Sequence, residues 1–194
     1  MEHPLGTEEL GRDVLVRLLY GGRVSLMVGV AAAISAAAIG VVIGLLAGYF
    51  GGWVDKLLMR FTDGVISLPL LPLLIVLAAI DPEKLGFSAG NETNMGLYRI
   101  IFIVALVGWT TVARLVRSTT LSLKQRPFVM AAHAQGATPL RIMAVHILPN
   151  LSSPIIVATT LSAGNVILLE SVLSFLGLGI QPPVPSWGNL LTNA

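Results

Sequence analysis

The sequence predicts an all-α integral membrane protein, a polytopic helical bundle with four spans, and three observations carry that prediction. Of its residues 55% are hydrophobic and only 11% are charged, with a mean hydropathy of +0.84; soluble domains carry roughly a quarter charged residues. Four stretches are apolar over the roughly 20 residues that a helix needs to cross a hydrocarbon layer of about 30 Å. Between the third and fourth lies the only long polar and basic interruption, Arg126–Asn150. The chain has no cysteine, which excludes disulfide frameworks, thiolate zinc sites and cysteine nucleophiles. Met1–Gly22 is polar, with Glu2, Glu8, Glu9, Arg12 and Asp13, and does not read as a signal peptide.

Residues 1–23 read as an external or interfacial amphipathic segment ahead of a transmembrane domain covering 24–194. Thr7 is a candidate N-cap, with Glu8 and Glu9 in the first turn favouring the helix dipole. Leu10, Val14, Leu18 and Leu19 share a face, while Arg12, Arg17 and Arg23 can snorkel to headgroups. This is either an interfacial element or an ordinary amphipathic helix with no role of its own.

The first span runs from about Val24 to Tyr49. Ala32, Ala36, Gly40, Gly44 and Gly48 recur every four residues along it, and small residues at that spacing let helix backbones approach closely. The partner helix cannot be named from the pattern. Gly51-Gly52 separates this span from the second, about Leu57 to Ile80, in which Pro69 and Pro72 should cause a bend. Asp55, Lys56, Arg60 and Asp63 fall at helical spacing at its start and are expected to pair among themselves at the membrane edge. The third span covers roughly Leu97 to Leu115 and the fourth about Leu151 to Phe175. In the fourth, Asn165 and Glu170 are the strongly polar side chains, candidates for a gating or helix-packing role. Glu170 sits close enough to the end to be wetted.

Charge sets the orientation. Arg114, Arg117, Lys124, Arg126 and Arg141 lie between the third and fourth spans with no acid among them, so that loop, 124–150, should be cytoplasmic. Asp81–Asn94 carries Asp81, Glu83 and Glu92 against Lys84 alone and should lie outside. The N-terminus then lies outside too, and the simplest resolution is that a further span precedes His3.

The cytoplasmic loop is punctuated as two short helices with a hinge. Pro127 suits a first helical position, and Gly136 suits a left-handed helix end. Thr138 with Pro139 restarts a helix. Pro149 marks the end of the second helix and the entry to the next apolar run. A helical hairpin exposed beside a membrane is a docking surface.

Catalytic readings find little support. His133 and His146 lack nearby carboxylates or a third ligand at metal-binding spacing, so no metal site is expected. No glycine-rich loop ends in Lys-Ser or Lys-Thr, so no P-loop binds ATP in this chain. No cofactor is expected here, and nothing points to nucleic acid.

MAAHAQGATPLRIMAVHILPN (Met130–Asn150) resembles the "EAA" loop of permease subunits from binding-protein-dependent ABC importers. Their pattern is roughly E-A-A, three residues, G, then nine residues to H-x-L-P-N. Ala131, Ala132, Gly136, His146, Leu148, Pro149 and Asn150 match it in place. His3–Leu26, Ala47–Asp63, Leu106–Val129 and Ser174–Leu191 resemble the dipeptide, oligopeptide and nickel branch, and most of all its second permease subunit.

The resemblance implies a type I ABC importer permease fold in a prokaryotic inner membrane, with ATP bound by a partner. Its partners would be a second permease subunit, two cytoplasmic ATPases and an extracytoplasmic substrate-binding protein. The loop residues Met130, Ala131, Ala132, Gly136, Ala137, Arg141, His146, Pro149 and Asn150 would couple nucleotide-driven closure of the ATPases to alternating access of a path for dipeptides, oligopeptides or nickel complexes. Phe175–Trp187 is a candidate docking surface for the binding protein, an outer gate, or a plain connector between spans. No residue reads as a substrate ligand. Two departures stand out: the family glutamate is Met130 here, and the chain resembles the core of a six-span subunit lacking its first and last spans. The rival readings are a subunit of a gradient-driven transporter or channel and an inactive truncated permease fragment.

Overall fold

The computed structural model describes residues 3–7, 11–79, 92–180 and 184–192. Among them every extended element is helical: α1 (Val14–Phe50), α2 (Gly52–Ser67), α3 (Leu70–Ala79), α4 (Glu92–Lys124), α5 (Pro127–Ala134), α6 (Pro139–Arg141), α7 (Ser152–Phe175) and α8 (Trp187–Thr192). Three helical runs are long and apolar enough to cross a membrane, Val14–Phe50, Leu97–Lys124 and Pro139–Phe175. A fourth span is reached if α2 and α3 count as one broken span.

Asp13, not Thr7, starts α1. Its Oδ1 accepts from the backbone N–H of Leu15 at 2.8 Å and of Val16 at 3.3 Å, the pattern of an N-cap. The adjacent His3 ring, 3.0 Å from Oδ2, holds the Asp13 carboxyl below the usual carboxylate range, and the two helix N–H groups add to this. Thr7 instead forms an isolated antiparallel bridge with Asp13. No element ends at residue 23, because α1 continues unbroken for 37 residues. The acids Glu8 and Glu9, with Leu10, lie outside the described residues, as does the loop 81–91.

The second predicted span is not one helix. Leu68 is extended, with φ −77° and ψ 136°, the conformation that the ring of a following proline favours. Pro69 therefore divides α2 from α3, and Pro72 sits in the first turn of α3, where its missing N–H costs nothing. At the other boundary Gly51 and Gly52 both have positive φ, 65° and 52°, which only glycine adopts freely.

The described chain divides into two compact units. One comprises Met1–Ala33, Leu70–Ala105 and Ala163–Ala194, the other Ile34–Pro69 and Leu106–Ser162. In the first unit Val28 and Ala32 pack with Ile100, Val104, Val166 and Ile180. In the second, Ala37 and Tyr49 of α1 meet Val112 and Val116 of α4 and the buried side of residues 129–151.

The small-residue stripe finds its partner in α4. A Cβ on Gly40 would lie 2.6 Å from the Trp109 carbonyl oxygen, on Gly44 2.6 Å from that of Ala113, and on Gly48 2.7 Å from Thr120 Cβ. Ala36 is buried in the same unit, and a Cβ on Gly108 would lie 3.5 Å from the Ala36 Cβ. Ala32, fully buried, continues the stripe in the first unit, where α4 supplies Ile100 and Val104.

Candidate functional site

Residues 126–151 build the predicted helical hairpin. Arg126 is extended, and Pro127 opens α5 at a position that needs no N–H. The helix ends at Gly136, φ 77°, with Ala137 N–H donating to the Ala132 carbonyl at 3.1 Å and Gly136 N–H to that of His133 at 3.0 Å. These two bonds are a Schellman closure. Nothing lies within 4 Å of where a Gly136 Cβ would stand, so the demand for glycine is conformational and not steric. Thr138 then caps α6, its Oγ1 accepting from Arg141 N–H at 3.4 Å, with Pro139 next.

Pro149 does not end the second helix, as the sequence suggested. From α6 the chain widens into a π-helical turn, Ile142–Ile147, tightens into a 3₁₀ turn, Leu148–Leu151, and enters α7. Pro149 sits at the start of the 3₁₀ turn, where its N–H is dispensable. The Asn150 side-chain amide donates to the backbone carbonyl of residue 146 at 2.7 Å, which gives Asn150 a role in this turn but asks nothing of the His146 ring.

The hairpin is two-faced. Val129, Ala132, Ile142, Met143, Ile147 and Leu151 are buried against α1 and α4, and half-buried Ala137 packs beside them. Side chains such as Ile142, Ile147 and Leu151, each 0% exposed, contribute about 1.5–3 kcal/mol apiece on burial. The other face carries Phe128, Met130, Leu140 (74% exposed) and Val145, together with exposed Ala131, Arg126, Gly136, Arg141, Pro149 and Asn150; His146 is half-buried. Beside it opens a cavity of about 520 Å³, lined by Tyr49, Phe50, Lys124, Met130, His133 and Pro139 among others.

Ion pairs brace the same unit, and not in the predicted pairing. Arg117 forms a two-pronged contact with Asp55, and Arg114 Nη2 reaches Asp63 Oδ1 at 2.6 Å. The acids of α2 thus face α4, with a separation of 62 residues in the first case that local spacing could not show. Lys124 Nζ donates to the Tyr49 carbonyl at 2.5 Å and lies 5.5 Å from the ring centroid.

Elsewhere the structure separates the two polar candidates of the fourth span. Asn165 is exposed. Glu170 is 0% exposed and not wetted, because Ser25 and Ser174 satisfy its two oxygens. Neither serine stood out in the sequence, and neither did Arg99, whose Nε is buried without a hydrogen-bond partner. Among the described residues no group of three or more His, Cys, Asp or Glu could hold a metal ion.

Residues 40–194 match the family of binding-protein-dependent transport system inner membrane components. The chain belongs to that family. It is 42% identical over 193 residues to the dipeptide transport system permease protein DppC of Alkalihalophilus pseudofirmus, covering 100% of this chain and 60% of that protein. It is 45% identical to the oligopeptide transport system permease protein OppC of Escherichia coli K12 over 98% of this chain and 59% of that one. Identity to the OppC of Bacillus subtilis is 37%, over 99% and 59%. The chain thus spans about three fifths of the length of these relatives. The family is one of membrane transport proteins and not of enzymes, and the two-faced hairpin falls inside its matched region.

Proposed function

We propose that this chain is the core of a permease subunit of an ATP-driven importer, lying in a prokaryotic inner membrane as a multi-pass protein, with the 124–150 loop on the cytoplasmic side and residues 1–23 outside. The observation that carries this reading is the hairpin: one face is locked into the apolar core of its unit while the other presents Phe128, Met130, Leu140 and Val145 beside Arg126 and Arg141. Such a hairpin passes a push from a docked ATPase into α1 and α4 as a rigid-body displacement, because a packed core transmits strain. Met130, in place of the family's glutamate, makes the docking face more apolar. The partners are two cytoplasmic ATPases, a second permease subunit and an extracytoplasmic binding protein. The names of the relatives favour dipeptides or oligopeptides as cargo, with nickel complexes the alternative.

Affinity purification of the tagged full-length permease from its native membrane tests the reading. Recovery of ATPases, a second permease and a binding protein is expected, and the captured binding protein can then be screened with peptides and Ni²⁺. Leu140→Glu and Arg141→Glu should each reduce ATPase recovery. Normal recovery with both variants contradicts hairpin docking, and capture of no ATPase contradicts the importer assignment.

A further inference from the structure

In the first unit, residues 176–180 and 184–189 form a strap whose hydrogen bonds to α1 and α7 include two that lead through serines to Glu170. Glu170 Oε2 accepts from Ser25 Oγ at 2.9 Å, and Oε1 from Ser174 Oγ at 2.7 Å. Each serine oxygen accepts a backbone N–H in turn: Ser174 from Ile180 at 3.0 Å, Ser25 from Trp187 at 3.2 Å. A hydroxyl has one proton to give, and both protons are spent on Glu170. Both side-chain oxygens of Glu170 therefore serve as acceptors. Glu170, Ser25 and Ser174 are all buried, and among the described residues no basic side chain pairs with Glu170.

The surroundings are shaped for this seating. A Cβ on Gly179 would lie 2.2 Å from Ser174 Oγ, one on Gly188 2.5 Å from Ser174 Cβ, and one on Gly22 2.9 Å from the Trp187 ring. The indole N–H of Trp187 reaches the Leu18 carbonyl at 3.2 Å. The Asn189 amide donates to the Val184 carbonyl at 2.8 Å and to that of Ile180 at 3.4 Å. The side chain of Ile180, 3% exposed, packs beside Val28, Val104 and Val166.

We infer that Glu170 is the positioning residue of a clasp: a buried carboxyl group whose two oxygens, through the Ser25 and Ser174 relays, hold a strap, residues 176–180 and 184–189, seated on α1 and α7. An acid buried in a membrane helix is costly, and its retention here is explained by the two backbone N–H groups it fixes at one remove. The inference rests on the proposed transport function only for its membrane setting, since strap seating is measurable without transport.

The test is thiol accessibility in the purified full-length permease in lipid, freed of any cysteine other than the reporter. Ile180→Cys places a thiol under the strap and keeps the Ile180 N–H. Glu170→Gln has the same shape but replaces one of the two acceptor oxygens with an NH2 donor. It should raise the labelling rate of that thiol by a water-soluble maleimide about ten-fold or more, the factor expected from leaving a buried hydroxyl without its acceptor. A reporter at Met130→Cys in the other unit should label at an unchanged rate. Ser174→Ala, which keeps the carboxyl group and cuts one relay, should also speed labelling at 180, and stands in for Glu170→Gln should that variant not accumulate. Parental labelling rates in both variants would overturn the clasp, because Glu170 would then merely fill space. Equal acceleration at residues 130 and 180 would overturn it as well, since the effect would not be local.

Discussion

The hairpin of the second unit, seated on α1 and α4, and the strap of the first, seated on α1 and α7, are both irregular segments, yet they are held by opposite means. The hairpin is fixed by apolar burial: Ile142, Ile147 and Leu151 go in, and Met130 and Leu140 are left out. The strap is fixed by hydrogen bonds converging on Glu170 and by glycines that allow close approach. Apolar seating is non-directional and, once close-packed, passes a push into the helices beneath it. Hydrogen-bonded seating has one geometry and is lost when a partner is removed. The proposed roles, a hairpin that is pushed and a strap that stays put, match these two solutions.

The variants that would break this comparison most severely are those at the close approaches. Gly44→Leu drives a side chain into the Ala113 carbonyl, and Gly188→Leu into Ser174 and the Ser171 carbonyl. Overpacking of this kind costs about 1–3 kcal/mol and occasionally more, and a clash with backbone belongs at the upper end. Limited proteolysis should show the hairpin opening first in Gly44→Leu and the strap first in Gly188→Leu. Simultaneous loss of both segments in either variant would mean that the two seatings are not separable.

Next in size is Ile147→Ala, which empties part of the hairpin core and should cost about 2–5 kcal/mol locally. Hydrogen exchange should rise across 127–151 and leave 174–189 unaffected; exchange rising first in the strap would reverse the assignment of the apolar seating.

The smallest effects concern the ion pairs. Asp55→Asn removes a two-pronged, partly buried contact with Arg117 and should lower stability by about 1–2 kcal/mol. Asp63→Asn removes a pair whose side chains are 50% and 60% exposed, worth about 0–1 kcal/mol. Thermal unfolding of the two variants should rank them in that order, and a larger loss from Asp63→Asn would contradict the roles given to them.

Much of this was readable in the chain. Pro127, Gly136, Thr138 and Pro139 act through local backbone rules, so the hairpin hinge follows from sequence alone. The stripe from Ala32 to Gly48 announced a close contact, but its partner α4 lies some seventy residues away and leaves no periodic trace in α1. The same blindness to distance hid the Asp55–Arg117 pair and the role of Ser25, an unremarkable serine until Glu170, 145 residues on, is laid against it. Pro149 misled for a different reason: a proline ends an α-helix, but a π turn followed by a 3₁₀ turn lets the chain pass through it. Leu68 shows the reverse case, where proline breaks a span that hydropathy draws as continuous.

The most direct test of the coupling role is Gly136→Leu in the full-length importer reconstituted into liposomes with its ATPases and binding protein. Holding leucine at φ near 77° costs on the order of 1–2 kcal/mol, enough to release the hinge while the core beneath it persists. The account predicts that solute uptake per ATP hydrolysed falls by about five- to thirty-fold, the factor that 1–2 kcal/mol corresponds to, with the ATPases still bound. Uptake per ATP equal to the parent would contradict it.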